Sequence, residues 1–167
     1  SSIDDENPVL FFEHKALYRS ITADVSSSNY HIAIGKGKII NSGTSMTIIT
    51  YGLGVIWAQD FIKKNSQYQT LIEIVDLRTL LPWDKEIVFE SIKRTNKALI
   101  LSEDNITGSI SAEISASISE DIFESLDAPI LRLGALDTPV PFSPNLEKEI
   151  YMPVSRLEKA VKKLLEY

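Results

Sequence analysis

Polar and glycine residues follow four apolar runs of the chain, where reactive groups often lie in α/β proteins. They occupy the four segments 51–54, 76–79, 102–104 and 137–138. If the runs are parallel strands, their carboxyl ends meet at one edge of a sheet, and ligands of such folds usually bind there. We therefore predict a crevice at this edge, formed by Tyr51, Gly52, Asp76, Arg78, Glu103 and Thr138.

Two of these segments have both a chemical and a structural interpretation. Gly52 and Gly54 would let a helix N-terminus approach an anion, but their spacing matches neither Gly-x-Gly-x-x-Gly nor a Walker sequence. A tight turn between strand and helix explains both glycines equally well. Asp76 and Arg78 would point to one face of a strand, and we expect them to form a salt bridge to a neighbouring loop.

The remaining candidate groups do not assemble into a catalytic set. Glu103 and Asp104 are adjacent, so in a strand they point to opposite faces, and we expect them to bind backbone amides of residues 105–108. The chain has no cysteine and 2 histidines, His14 and His31, neither with a partner at a known motif spacing. We predict no catalytic, cofactor-binding or metal-binding residue in this chain.

Charge and hydropathy argue against two classes of partner. Lys and Arg number 17 against 23 Asp and Glu, which leaves a net charge of −6. This field repels the phosphates of nucleic acid and anionic lipid. No apolar run approaches the roughly 20 residues of a membrane-spanning helix. We expect a cytoplasmic protein that binds neither nucleic acid nor membrane.

The elements that position these residues alternate between strands and helices. Apolar, β-rich runs predict strands at 46–51, 71–77, 98–101 and 130–133, and helical spacing predicts helices at 53–65, 84–96, 110–126 and 156–166. Segment 32–40 is too close to the next strand for a crossover, so we predict an antiparallel edge strand there. The prolines from 139 to 153 predict a surface loop. The fold class is α/β, with three layers (α/β/α) and a five-stranded, mostly parallel sheet that has one antiparallel edge strand.

Residues 1–30 differ from the regular pattern that follows them. Residues 9–12 form an apolar run long enough for one buried strand, and residues 19–30 are rich in Ser, Asn and Asp, which is typical of a linker. We divide the chain into the end of a preceding domain (1–19), a linker (20–30) and the main domain (31–167). On this interpretation the chain is part of a longer protein.

Four phrases of the sequence, taken together, resemble one family. They lie at 7–15 with 17–19, at 34–38 with 47–52, at 75–84 and at 126–129 with 136–139. The third reads Val-Asp-Leu-Arg-Thr-Leu-Leu-Pro-Trp-Asp. In this order and spacing they resemble the beta subunit of thiamine diphosphate-dependent 2-oxoacid dehydrogenases, or its fused alpha-beta form. The resemblance is to the transketolase C-terminal domain of that subunit, and residues 1–19 resemble the last strand of the preceding pyrimidine-binding domain.

The resemblance implies a role inside a larger enzyme. Thiamine diphosphate and Mg would bind to other domains of the intact enzyme, which decarboxylates a 2-oxo acid and acylates a lipoyl group, so this chain alone would be inactive. The implied partners are an alpha subunit or fused alpha region, a second beta copy and the acyltransferase core of the complex, which Tyr167 would contact.

Three segments bear on how far the resemblance extends. Segments 13–20 and 50–58 are closer to the branched-chain type than to the pyruvate type, whereas segment 107–111 lacks the Gly-Gly-x-Gly loop of many relatives. The residues alone also leave open a second function, a freestanding small-molecule or nucleotide-binding domain that uses the predicted crevice.

Overall fold

A five-stranded mixed sheet forms the centre of the molecule. The computed structural model describes residues 1–28, 30–151 and 153–167. Asn29, in the predicted linker, and Met152, in the predicted proline loop, lie outside the described residues. The strands are β1 (Lys38–Asn41), β2 (Met46–Thr50), β3 (Ile72–Asp76), β4 (Ala98–Asn105) and β5 (Leu131–Ala135), in the spatial order β1-β3-β2-β4-β5. The edge strand β1 is antiparallel to β3 and the other pairs are parallel, which confirms the predicted fold class.

Four helices confirm the helical periodicity of the sequence. The helices are α1 (Leu17–Ser20), α2 (Leu53–Lys64), α3 (Lys85–Thr95), α4 (Ile110–Ile122), α5 (Pro144–Ile150) and α6 (Val154–Leu165). Of these, α2, α3, α4 and α6 match the predictions within a few residues. The start of α3 is set by Asp84, whose carboxylate accepts the N–H of Ile87, and its end by Asn96 in a left-handed conformation with φ 60°. Such caps satisfy backbone groups that a helix end leaves unpaired.

Helices cover both faces of the sheet, so the molecule has three layers. On one face, α2 and α6 pack Trp57, Phe61 and Leu157 against β2, β3 and β4. On the other face, α3 and α4 bury their aliphatic stripes against the same strands. Ile114 and Ile118 of α4 have no exposed surface, and each contributes about 1.5–3 kcal/mol of gross burial. The central strands are covered on both faces, which explains why they are nearly continuous in apolar residues.

The strand predicted at residues 9–12 is not formed in this structure. Val9, Leu10, Phe11 and Phe12 have irregular backbone and are exposed. A strand needs a neighbouring strand to accept its backbone hydrogen bonds, and none of the described residues pairs with this run. The apolar run therefore lies on the surface of the structure.

Two other segments depart from their predictions in extent. The edge strand begins at Lys38 rather than at residue 32, because the backbone before it is tied to another loop. Gly35 N–H donates to Thr79 Oγ1 at 2.9 Å, and Gly37 N–H donates to Asp84 Oδ2 at 3.0 Å. The predicted proline loop contains α5, which starts at Pro144. Proline fits the first turn of a helix because no backbone N–H is needed there.

Candidate functional site

Two tyrosine–carboxylate pairs occupy the edge of the sheet where the parallel strands end. Tyr51 follows β2 directly, and its hydroxyl lies 2.8 Å from both carboxylate oxygens of Asp104 near the end of β4. Burial, together with the Asp104 carboxylate, raises the pKa of Tyr51 well above its usual value. The phenol therefore stays protonated and keeps donating to Asp104 at neutral pH.

The second pair joins β4 to the region before α6. The Tyr151 hydroxyl donates to Glu103 Oε1 at 3.1 Å. Burial and the neighbouring Glu103 carboxylate raise the pKa of Tyr151 to about 12. His14 approaches the same carboxylate, with Nε2 3.7 Å from Glu103 Oε1, while its Nδ1 is buried without a hydrogen-bond partner among the described residues. We call Tyr51, Asp104, Glu103, Tyr151 and His14 the carboxyl-edge cluster.

The predicted role of Glu103 and Asp104 needs correction. Glu103 and Asp104 do not bind the amides of residues 105–108 in the described structure, since both accept from tyrosines. It is Asp137 that accepts from the backbone N–H of Thr107 at 3.1 Å, and from its hydroxyl at 2.6 Å. His14 lies beside Glu103 although no sequence spacing connects the two residues.

Asp76 and Arg78 lie at the end of β3 and do not join the carboxyl-edge cluster. The Arg78 backbone N–H donates to Asp76 Oδ1 at 3.1 Å, and Arg78 has a positive φ of 59°. Within the described part of the chain neither side chain forms an ion pair, so the predicted salt bridge is wrong. Burial raises the pKa of the Asp76 carboxyl. The tight turn after the strand brings the Arg78 amide, rather than its guanidinium, to the carboxylate.

The two glycines after β2 have a steric explanation. Gly52 has a positive φ of 54°, which side chains rarely adopt. At Gly54 a Cβ atom would overlap Thr50 Oγ1 and approach the Leu101 carbonyl within 3.2 Å. These positions make a close turn from β2 into α2, as the structural interpretation of the sequence predicts.

Thr138 and Tyr167 complete the set of predicted site residues. Thr138 is exposed in the segment after β5, and its carbonyl lies 3.5 Å from Asn105 Nδ2, at the limit of a hydrogen bond. It makes no described contact with the tyrosines of the carboxyl-edge cluster. Tyr167 is 60% exposed, whereas Leu164 on the same helix end is fully buried.

The cluster had only a partial signal in the sequence. Tyr51 and Glu103 were predicted to lie at this edge, but Tyr151 was missed because it follows a proline-rich segment without regular periodicity. Its partner lies 48 residues away in the sequence, a separation that no local pattern reports. The signal that does exist is chemical: a tyrosine hydroxyl next to buried apolar residues requires an acceptor.

The donor set of this edge does not fit thiamine diphosphate with Mg. Glu103 and Asp104 would repel a diphosphate, and the chain offers no basic side chain in the cluster apart from His14. Over residues 1–28, 30–151 and 153–167, no group of three or more His, Cys, Asp or Glu is placed to hold a metal ion. In the same ranges no helix has both the length and the hydropathy to cross a membrane.

Comparison with known families assigns the chain to one of them. Residues 35–157 match the family model described as "Transketolase, C-terminal domain". The chain belongs to this family. It is 40% identical to the 2-oxoisovalerate dehydrogenase subunit beta of Bacillus subtilis (strain 168), over 100% of this chain and 51% of that protein. It is 35% identical to the pyruvate dehydrogenase E1 component subunit beta of Rickettsia felis, again over 100% of this chain and 51% of that protein.

Two further facts define the extent of this relationship. This transketolase C-terminal domain spans about half the length of the curated relatives it matches. Among solved structures, a split gene transketolase described as an inactive beta4 tetramer aligns with a TM-score of 0.69 and 22% identity. The alignment covers 86% of this chain and 46% of that chain, and it confirms the fold.

Proposed function

We propose that this chain is the assembly and partner-docking domain of a 2-oxoacid dehydrogenase decarboxylating component. One observation carries the proposal: large apolar side chains are exposed in the segments that follow the carboxyl ends of β3 and β5, and in the segment before His14. Leu81 after β3 is 91% exposed, and Phe142 after β5 is fully exposed. Leu10 and Phe12, shortly before His14, are 82% and 88% exposed. A contiguous exposed apolar patch is typical of a protein interface, and we infer that these segments form one.

The occupant of this edge is the part of the beta subunit that the chain does not match in its relatives. Those relatives are about twice as long, and the run at residues 9–12 has no strand partner in the described structure. A strand of a preceding domain would supply the hydrogen-bond partners that this run lacks. On this proposal residues 1–19 belong with that domain and residues 20–30 link it to residues 31–167.

The intact enzyme would carry out the chemistry with thiamine diphosphate and Mg held outside this chain. A 2-oxo acid loses CO2, its acyl group forms a thioester with one lipoyl sulfur, and the lipoyl disulfide is reduced to a second, free thiol. The similarity to a 2-oxoisovalerate dehydrogenase subunit favours a branched-chain 2-oxo acid, with pyruvate as the second candidate. This chain alone would be inactive, and a cytoplasmic location remains a prediction.

A chimaeric subunit tests the assembly role in a complete protein. Residues 1–167 replace the matching part of the Bacillus subtilis 2-oxoisovalerate dehydrogenase subunit beta, in a strain that lacks its own copy. We expect the chimaera to assemble by gel filtration and to restore decarboxylation of 2-oxoisovalerate. The variant Phe142→Ser should lose assembly, whereas the control Ser119→Ala, on the exposed side of α4, should not. A chimaera that folds but stays unassembled, or turnover by the isolated chain, would contradict the proposal.

Docking of the acyltransferase core at the C-terminus is tested by a single substitution. Deleting the last residues would also disturb packing, because Leu164 is buried and Leu165 packs against the core. Tyr167→Ala changes only an exposed side chain. We expect weaker capture of the subunit-binding domain of the acyltransferase by the assembled chimaera in calorimetry, and unchanged affinity would rule out this contact.

The alternative, a freestanding nucleotide or small-molecule binder, gains no support from the geometry. The polar groups of the carboxyl edge bind one another, and a cleft of about 220 Å³ lies elsewhere, against Ile40, Asn41, Gln59 and Gln69. A ligand at 100 times its dissociation constant would add about 2.7 kcal/mol to stability. A rise in melting temperature that corresponds to this gain in stability, with a nucleotide or phosphometabolite, would favour this alternative.

A further inference from the structure

Glu103 joins two regions that are far apart in the sequence. Its Oε1 atom accepts from Tyr151, 48 residues later, and lies 3.7 Å from Nε2 of His14. The side chains of His14 and Glu103 are 28% and 24% exposed, so the contact is mostly shielded from water.

The neighbouring carboxylate makes a different kind of contact. Asp104 binds Tyr51, which directly follows β2, the strand paired with β4. This pair therefore connects two adjacent parts of the sheet. Asp104 and Glu103 thus accept from different tyrosines, although they are adjacent in the sequence.

Each region held by Glu103 carries part of the exposed apolar surface. Residues 10–12 lie just before His14. On the other side, Val140 and Phe142 lie in the segment between β5 and α5, and that segment is closed at its base by the Leu136 N–H, which donates to the Ile150 carbonyl at 3.1 Å. Tyr151 follows this closing bond directly.

We propose that Glu103 is a positioning residue that holds both apolar segments, 10–12 and 140–142, in place at the carboxyl edge. The proposal rests on the docking function proposed above, and it adds that the docking surface is assembled before its partner binds. Ordering flexible segments in advance removes part of the entropic cost of association. Without Glu103, both segments would have to be ordered at the moment of binding.

Hydrogen exchange on the 167-residue chain tests this role without a partner. One reporter is the Leu17 amide, which donates to the His14 carbonyl at 3.0 Å, and another is the Tyr151 amide, which donates to Glu147 at 2.9 Å. Glu103→Ala removes both contacts, so exchange of both amides should be about tenfold faster, the factor that corresponds to about 1.4 kcal/mol. In Glu103→Gln an amide oxygen still accepts from Tyr151, so only the Leu17 amide should respond.

Matched variants separate positioning from a general loss of structure. Asp104→Asn, on the next residue of the same strand, should leave both reporter amides within about twofold of the parent. If Glu103→Ala does not fold, Tyr151→Phe and His14→Gln should each release only their own segment. Unchanged exchange in the Glu103 variants, or an equal response to Asp104→Asn, would overturn the proposal.

The chimaeric subunit then distinguishes this proposal from the docking function itself. With Glu103→Gln the chimaera should need a higher subunit concentration, by up to about tenfold, for half-assembly. If exchange changes as expected but assembly does not, docking at this edge is refuted and the positioning role of Glu103 stands. If exchange does not change, the positioning role is refuted whatever the assembly result.

Discussion

Replacing Tyr51 with Phe isolates one hydrogen bond of the carboxyl-edge cluster. The substitution keeps the ring and removes a hydroxyl that lies 2.8 Å from both oxygens of Asp104. Hydrogen bonds to charged groups contribute about 1.5–3 kcal/mol to stability. Because both side chains are only partly buried, water compensates some of the loss, and we expect the free energy of unfolding to fall by about 1.5 kcal/mol.

Urea unfolding at neutral pH measures this loss. The dependence on urea concentration should keep its slope while the midpoint falls, since the ring still packs in the core. Asp104→Asn and the double variant complete a thermodynamic cycle, in which the effects of the two single variants should not add. Tyr30→Phe, at an exposed tyrosine, is the control and should change stability little. A loss below about 0.5 kcal/mol, within the range of ordinary surface substitutions, or full additivity would refute the assigned hydrogen bond.

Four other substitutions have expected outcomes in the same assay. The pKa of Tyr151 is raised from 10.0 to about 12, so its contribution to the free energy of unfolding is complete below pH 10 and is lost as pH rises through about 12. In Tyr151→Phe this part of the loss of stability at alkaline pH should be absent. Burial raises the pKa of the Asp76 carboxyl above 3.8, so ionisation of this group lowers the stability of the parent as pH rises through the folded-state value. The stability of Asp76→Asn, measured relative to the parent, should therefore be higher at pH 7 than at pH 3. A lower relative stability at pH 7 would contradict this. Gly52→Ala should cost about 1–3 kcal/mol because of its positive φ. Gly43→Ala should cost at least about 1–3 kcal/mol because a methyl group would overlap the backbone of the neighbouring strand, and a change within about 0.5 kcal/mol at either glycine would refute its assigned constraint.

The sheet was predictable because its strands are buried on both faces. Residues 46–50 and 98–101 are continuous buried runs, and a run of that length bounded by turn residues has few other structures available. The edge strand was predictable in direction because the chain between it and β2 is too short for a crossover. Its start was not predictable, since it depends on Gly35 and Gly37 binding Thr79 and Asp84, more than 40 residues away.

The errors in the prediction share a cause. Residues 9–12 have the composition of a buried strand, but strand formation depends on a neighbour, and composition does not report one. Pro144 was taken as a loop marker, although proline also starts helices, and only the following residues decide between the two. In both cases the residue types were identified correctly, but the secondary structure assigned to them was not the one that forms.

The position of the carboxyl-edge cluster was predictable from the sequence, but the pairing of its tyrosines with its carboxylates was not. Strand pairing in register places Thr50 of β2 opposite Leu101 of β4, so Tyr51 and the acidic residues after Leu101 must reach the same edge. Which acid each tyrosine binds depends on the irregular register of β4 between Leu101 and Asn105 and on the path of the chain after α5. Asp104 accepts from Tyr51, which directly follows β2, and Glu103 has its partners near the two ends of the chain. On the positioning role proposed for Glu103, a single Glu-Asp dipeptide stabilises the domain through one carboxylate and orients its surface segments through the other.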